Sequence, residues 1–221
     1  MRGMIELMTP SREDYIKAIF NHNEKGDKLN NKDLSEILSV SAASTSEMIR
    51  KLIASGHVNR NKKLGLTLTD LGRQEAKTLV MKHRLWEVFL VNHLGFSWTE
   101  VHDDAEVLEH VTSDKLAKRL NEFLEEPKFC PHGEVIYGNA DEVKDHTIAL
   151  SHMKPNDTGV FKKVRDTGEL LEYLERINFK LEDRFEVLEI LPYEGPIVLK
   201  INGEKTSVSY NASKDIYVLK D

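Results

Sequence analysis

Apolar residues near the start of the chain recur at helical spacing. In "TPSREDYIKAIF" the positions Tyr15, Ile16, Ile19 and Phe20 share one helical face, with Thr9 placed as an N-cap and Pro10 at the first helical position. A polar break, "NHNEKGDKLNN", ends that helix. "NKDLSEILSVSAASTSEMIRKLIASGHV" then predicts helix, short turn, helix. Leu34, Ile37 and Leu38 form the inner stripe of the first, and Met48, Ile49, Leu52 and Ile53 that of the second; Gly56 stands where a C′ glycine closes a helix. In "HVNRNKKLGLTLTD" the period drops to two at Leu66 and Leu68, which predicts a hairpin turning around Asn61 and Gly65.

A long helical pattern runs from Asp70 to near Gly95. Another opens at Ser97, an N-cap with Glu100 completing a capping box, and continues to His110; a third covers 113–125. Leu85, Trp86, Phe89, Leu90, Leu108, Leu116, Leu120, Phe123 and Leu124 offer more apolar surface than three short helices hide among themselves, which predicts a helical homodimer. After the turn-rich "PKFCPHGEVIYGNADEVKDH" the pattern becomes strand-like in "GVFKKVRD", "RFEVLEIL", "PIVLKI" and "TSVSY", with a short helix in "GELLEYLERI" and a hairpin turn at Asn202 and Gly203. The expected architecture is mainly α with a small C-terminal β-barrel. Its parts are a winged helix-turn-helix over 8–73, a helical dimerisation domain over 74–133, a linker over 134–150 and a barrel over 151–221.

Helix, turn, helix and basic hairpin in that order make a winged helix-turn-helix. Its second helix opens with small residues, so its N-terminus can enter a major groove closely. Ser41, Ala43, Ser44 and Thr45 are the candidates there, with Arg50 and Lys51 further along the helix and Arg60, Lys62 and Lys63 on the wing for phosphate contacts. Charge supports the division of labour. Residues 1–73 hold 12 Lys and Arg against 9 Asp and Glu, whereas residues 100–126 hold 3 against 9, although the whole chain carries −6. A basic unit suits an anionic partner and an acidic one suits cations.

The composition is that of a soluble globular protein of 221 residues, and no stretch approaches a membrane span. The single cysteine, Cys130, excludes an intramolecular disulfide framework, and "MRGMIELM" is too short and polar for a secretory signal, so cytoplasm is the expected compartment.

"EVLEH" supplies the candidate chemistry. Glu106, Glu109 and His110 at i, i+3 and i+4, with His102 one turn earlier, share a helical face, while Val107, Leu108 and Val111 occupy the other. Such a face is either a solvated one with a Glu–His ion pair or half of a metal site; oxygen donors with imidazole favour Mn(II) or Fe(II). A second set is visible. His83 and Glu87 are i, i+4 on the long helix, and "CPH" puts Cys130 and His132 two residues apart, a softer pair more tolerant of zinc.

"MTPSREDYIKAIF", "SAASTSEMIRKL", "LTLTDLG", "KHRLWEVFL", "AEVLEH" and "CPHG", in this order, resemble the DtxR/MntR family of metal-dependent transcriptional repressors, most of all its manganese-responsive three-part members. The resemblance runs over nearly the whole chain from Met8 and includes a C-terminal FeoA-like barrel. It implies that Asp14 of "EDY" joins Glu106, Glu109 and His110 in a regulatory site, tying a DNA-binding unit to a dimerisation unit. It implies a second site of Glu87, Cys130 and His132, with His83 and His102 close by and Asp166 of "VRDTGELL" completing it. Two departures bear on the ion. Lys17 stands where the two-domain manganese repressors carry a glutamate, and Asp14 and Glu106 stand where iron-responsive members use sulfur. Both imply Mn(II), with Fe(II), Zn(II) or Cd(II) as further candidates.

The function expected is a metal-activated homodimer that binds palindromic operators of metal-uptake genes in double-stranded DNA, with no membrane and no small organic substrate as partner. Two rivals stand beside it. A metallohydrolase could use the Glu/His cluster to activate water, but HExxH, nucleophile-elbow and phosphate-loop patterns are all missing. A DNA-binding scaffold with a purely structural metal would bind DNA indifferently to free metal.

Overall fold

The computed structural model describes residues 11–24, 26–140 and 145–221. The chain forms two compact units, Met1–Lys82 and His83–Asp221.

In the first unit, α1 (Arg12–Asn23) is capped by Ser11, whose Oγ accepts the amides of Glu13 and Asp14 while the Asp14 carboxylate accepts the amide of Ser11. This reciprocal box satisfies donors that a helix start leaves open; Thr9 and Pro10, expected to begin the helix, lie outside the described residues. Tyr15, Ile16, Ile19 and Phe20 are all buried. Helices α2 (Asn31–Ile37) and α3 (Ala42–Ala54) follow, capped by Asn30 and Ser41. Leu34, Ile49 and Leu52 are sealed in the core, but Ile37 and Ile53, expected in the same stripes, are 51% and 38% exposed. Ile37 is the last residue of a seven-residue helix and Ile53 lies a residue past the buried face of Thr45, Ile49 and Leu52. Gly56 takes φ +76° to end α3, and the His57 amide reaches back to the Leu52 carbonyl at 2.9 Å. Strands β1 (Val58–Asn61) and β2 (Gly65–Leu68) pair antiparallel, with the Asn61 side chain accepting the amides of Lys63 and Leu64 across the turn. Val58, Leu66 and Leu68 face the core.

Helix α4 (Asp70–Leu94) begins in the first unit and carries His83 and Glu87 in the second. There α5 (Val101–Val111) and α6 (Asp114–Phe123) follow it. The expected box at Ser97 forms only in part: the Ser97 amide and hydroxyl bond to Glu100 Oε2, but the α-helix starts later, at Val101, without a side-chain cap. Ser113 caps α6 as its position suggests. The Trp86 indole donates to Thr112 Oγ1 at 2.7 Å, and the rings of Phe89, His93 and Phe123 pack beside it. Val107, Val111, Leu116 and Phe123 remain exposed.

The C-terminal part is a sheet of β3 (Ile148–Ala149), β4 (Thr158–Val164), β5 (Arg184–Ile190), β6 (Ile197–Ile201), β7 (Glu204–Val208) and β8 (Ile216–Lys220), in the order β3-β8-β4-β5-β6-β7 and antiparallel throughout. Its ends are β3 and β7, so among the described residues the expected small barrel is a sheet that does not close. Bulges at Phe161/Lys163 and Val187/Glu189 bend it around Phe161, Phe185, Val187 and Leu199, and α7 (Gly168–Arg176) adds Leu171 and Leu174 to that core. Asn202 and Gly203 both take positive φ, 51° and 91°, as a two-residue hairpin turn requires. The strand expected in "TSVSY" ends at Val208 because Ser209 caps the short α8 (Tyr210–Ser213) instead. No helix among the described residues is long and apolar enough to cross a membrane.

Candidate metal centre

One turn of α4 turns His83 and Glu87 into the interior, where they are 4% and 1% exposed. From α5, Glu109 reaches the same place: its Oε2 is 2.6 Å from His83 Nδ1, and Glu106 Oε2 is 3.5 Å from that nitrogen. On the other side of the ring, His83 Nε2 lies 3.1 Å from Glu87 Oε1 and 3.8 Å from Asp166 Oδ2, which the loop between β4 and α7 brings in. Asp166 also accepts His102 Nδ1 at 2.8 Å. The loop 129–135 supplies Cys130 and His132, the latter with Nδ1 3.3 Å from Glu87 Oε1. Three overlapping donor groups result: His83, Glu87, His102 and Asp166; Glu87, Cys130 and His132; and His83, Glu106 and Glu109, with the atoms of each group within 4.8 Å of one another.

Glu109 therefore stands differently from the reading of one solvated face. It is buried against His83, while His102, Glu106 and His110 stay partly open, and His110 Nε2 lies 3.6 Å from Glu109 Oε1. Asp14 occupies the third position of α1 in the other unit, inside the Ser11 box. Arg84 escaped the sequence reading. Its guanidinium donates to the Val135 carbonyl and lies 3.6 Å from Glu134, so it ties the Cys130–His132 loop to α4. The available signal was an arginine adjacent to His83 on a helix otherwise turned inward there.

The charges are mutually dependent. Burial opposes a proton on His83, but the carboxylates of Asp166, Glu109 and Glu87 outweigh it and hold the imidazolium well above its ordinary pKa. Burial likewise raises Glu87, yet His132 and His83 bring it down to about 2. Asp166 is held well below the carboxylate range by His102 and His83 against its burial, and Asp166 in turn raises His102. His132 is raised by Glu87 despite burial. Burial first, and Glu87 second, push the Cys130 thiol well up. Buried carboxylates here depend on protons held by histidines, positions whose positive charge a divalent cation could supply.

The donors fit such a cation. His132 is fully buried, its Nδ1 held by the 3.3 Å contact with Glu87 Oε1, and neither ring nitrogen has a hydrogen bond of strict geometry. Beside it lie a thiol and a carboxylate, both metal donors once deprotonated. Glu87, Cys130 and His132 stand together as donors for one ion, and His83, Glu106 and Glu109 bring oxygen and imidazole together beside them.

Gly133 sets the loop's approach. It takes φ +83°, and an added Cβ would stand 2.1 Å from the Lys162 carbonyl, while the Val164 amide bonds the His132 carbonyl at 3.0 Å. Gly133→Ala is expected to cost on the order of 3 kcal/mol, a fall in Tm of about 6–12 °C, and to weaken metal binding at Cys130 and His132. Thermal unfolding and Cd(II)–thiolate absorbance check it; an unchanged Tm would mean that the close packing is dispensable.

In the first unit, Ser41, Ala43, Ser44, Arg50, Lys51, Arg60, Lys62 and Lys63 are exposed. Lys51 pairs with Glu47 at 2.8 Å, and Arg60 lies 3.5 Å from the Asn31 side-chain oxygen. Thr45 is a correction. It is completely buried and its hydroxyl donates to the Ser41 carbonyl one turn back, so it packs α3 inward and presents nothing to a groove.

Comparison with known proteins covers nearly all of this. Three family models match in succession: the N-terminal DNA-binding domain of iron-dependent repressors over 7–66, their metal-binding and dimerisation domain over 69–138, and the FeoA domain over 148–220. An HTH-type transcriptional regulator of Methanocaldococcus jannaschii is 33% identical over 122 residues, 55% of this chain and 98% of its own length. Among solved structures, the manganese regulator SloR is 38% identical with a TM-score of 0.82, covering 97% of this chain and 100% of that one. A manganese-dependent transcriptional repressor in complex with manganese is 36% identical with a TM-score of 0.87, covering 96% and 100%.

Proposed function

We infer that this chain, which belongs to the DtxR/MntR family of metal-dependent transcriptional repressors, responds chiefly to Mn(II). It is a metal-dependent DNA-binding repressor and not an enzyme, which removes the hydrolase reading of the Glu/His cluster. The proposed regulatory ligands are Asp14, Glu106, Glu109 and His110, and the proposed second set is Glu87, Cys130, His132 and Asp166 with His83 and His102 alongside. A regulatory set made only of oxygens and one imidazole favours Mn(II) over ions that prefer thiolate. Fe(II), Zn(II) and Cd(II) are the competitors, and a 36% identical repressor in complex with manganese supports Mn(II) as a ligand.

The observation that carries the reading is the buried Glu109–His83 contact, because it joins the "EVLEH" residues to the histidine and carboxylates of the second set. The proposed division is DNA binding over 8–73, metal binding and dimerisation over 74–133, a linker over 134–150 and a FeoA-like domain over 151–221. Homodimerisation would cover Val107, Val111, Leu116 and Phe123, the exposed apolar residues of α5 and α6. A cytoplasmic dimer would present two copies of α3 to a palindromic operator of metal-uptake genes. Metal binding then selects the DNA-competent arrangement, and the gain equals the difference in metal affinity between the two arrangements.

Fluorescence anisotropy at fixed salt tests this, on a duplex enriched from a random pool by the wild-type protein with Mn(II). Mn(II) is expected to tighten binding roughly 5- to 150-fold over chelator, and more than Fe(II) or Zn(II) at matched free concentrations. Equal affinity with and without every ion would leave the metal structural.

A further inference from the structure

A polar junction in the DNA-binding unit is built from residues that are neither proposed metal ligands nor expected DNA contacts. Its centre is the carboxylate of Glu75, on the second turn of α4. The Arg12 guanidinium, at the start of α1, engages both carboxylate oxygens: Nη1 bonds Oε1, and Nη2 bonds Oε2 at 2.9 Å. The same Oε2 lies 3.1 Å from Nε2 of His57, the residue that follows the glycine ending α3. His57 Nδ1 is 2.9 Å from Ser55 Oγ at the C-cap of α3. One carboxylate thus holds the first residue of α1, the end of the helix expected to read DNA, and the base of the wing. The His57 side chain is 12% exposed and the Glu75 side chain 29%, so the junction is partly shielded from water and salt.

The backbone around it has little slack. The Thr69 amide bonds the His57 carbonyl at 3.0 Å, and the Thr69 hydroxyl bonds the Gly56 carbonyl at 2.7 Å. Gly72, one turn into α4, packs so closely that an added Cβ would stand 2.2 Å from the His57 carbonyl oxygen. The end of α3 is therefore fastened to the start of α4 by backbone contacts, whereas α1 joins them here through the Arg12–Glu75 fork. Asp14 follows Arg12 by two residues on α1.

We propose that Glu75 is the positioning residue that passes metal binding at α1 to the DNA-reading helix, holding Arg12 and His57 on one carboxylate so that α1 and the end of α3 move as one piece. This rests on the reading of Asp14 as a regulatory ligand. Glu75 touches neither metal nor DNA in that scheme; its effect is on the coupling between the two. By reciprocity, losing the junction lowers the DNA gain caused by metal and the metal gain caused by DNA by the same factor.

The test uses the full-length chain and the enriched duplex described above. Glu75→Gln keeps the size of the side chain and removes the charge and the second oxygen that the Arg12 fork engages; Arg12→Gln removes one arm alone. For each variant, circular dichroism and Tm in chelator, Mn(II) affinity without DNA, and duplex affinity with chelator and with Mn(II) are measured. Expected are a wild-type spectrum, Mn(II) affinity without DNA and duplex affinity in chelator each within about twofold of wild type, and a metal-dependent gain that falls to about twofold or less in Glu75→Gln and falls less far in Arg12→Gln. A full metal-dependent gain in Glu75→Gln overturns the proposal, as does an equal loss of duplex affinity with and without metal, which would make the junction merely structural. Asp14→Ala reports on the underlying reading separately: if it retains the Mn(II) response, the regulatory site is elsewhere whatever Glu75 does.

Discussion

A Glu109→Ala chain is expected to fold and to gain less than about twofold in DNA affinity on addition of Mn(II), where the wild type gains roughly 5- to 150-fold. Of the three proposed ligands on α5, Glu109 is the one wholly withdrawn from water, with Oε2 2.6 Å from His83 Nδ1. Its loss removes a ligand and also frees the histidine whose proton balances Glu87 and Asp166. The fold should survive, because His83 keeps those two carboxylates and α5 keeps Val101 and Ala105 in the core. A stability cost of about 1–3 kcal/mol is expected in chelator, in line with one broken buried hydrogen bond to a charged group. Circular dichroism and a chelator melt separate this from general unfolding. Glu106→Ala gives the contrast: Glu106 is partly exposed and stands 3.5 Å from His83, so its loss should leave Tm nearly unchanged while still weakening the response. A Glu109→Ala chain with the wild-type metal gain would remove Glu109 from the regulatory site.

The helices were legible because their signals are local. Tyr15, Ile16, Ile19 and Phe20 need only 3.6-residue spacing to be assigned a common face, and Gly56 needs only its place after α3. The hairpin at Asn202 and Gly203 was as plain. Legibility failed where a neighbour distant in sequence decides. On a helical projection Glu106, Glu109 and His110 are alike; what separates them is His83, 26 residues before Glu109, which draws that one carboxylate inside. Thr45 looked like its serine neighbours, yet Ser41 takes the cap, and the residue four positions later then points into the core. The short β3 and the final β8 went unread because neither is framed by turn residues on both sides, and β8 pairs with β4, more than 50 positions earlier in the chain. Among the second-set residues, spacing alone brought out His83, Glu87, Cys130 and His132, whereas Asp166 came only from family resemblance. Nothing in "VRDTGELL" indicates that its aspartate lies 2.8 Å from His102.

That cluster also carries a pH prediction whose sign differs between the metal-free and metal-loaded protein. In chelator, His83, His102 and His132 have folded pKa values raised above their ordinary 6.5 by the carboxylates around them. A raised folded value contributes stability that is fully present below the unfolded pKa and is lost as pH rises through the folded one. The chelated Tm should therefore fall from pH 6.5 upward. Glu87, lowered to about 2, acts at the other end: its contribution is present above the unfolded value of 4.5 and lost as pH falls toward 2, so it is constant across this window. A bound ion needs neutral imidazoles and the Cys130 thiolate, hence must displace protons that the metal-free cluster holds. Metal affinity should rise with pH, by about 1.4 kcal/mol per pH unit for each proton displaced. For a chain of this size that is roughly 3–6 °C per proton per pH unit. Melts under nitrogen at pH 6.5, 7.2 and 8.0, with chelator and with saturating Mn(II), should give two lines that diverge as pH rises. His132→Ala, which removes one of the displaced protons and one donor of the second set, should narrow that divergence. Parallel lines in the wild type would mean that the ion binds without displacing these protons, and so outside the cluster of His83, Glu87 and His132.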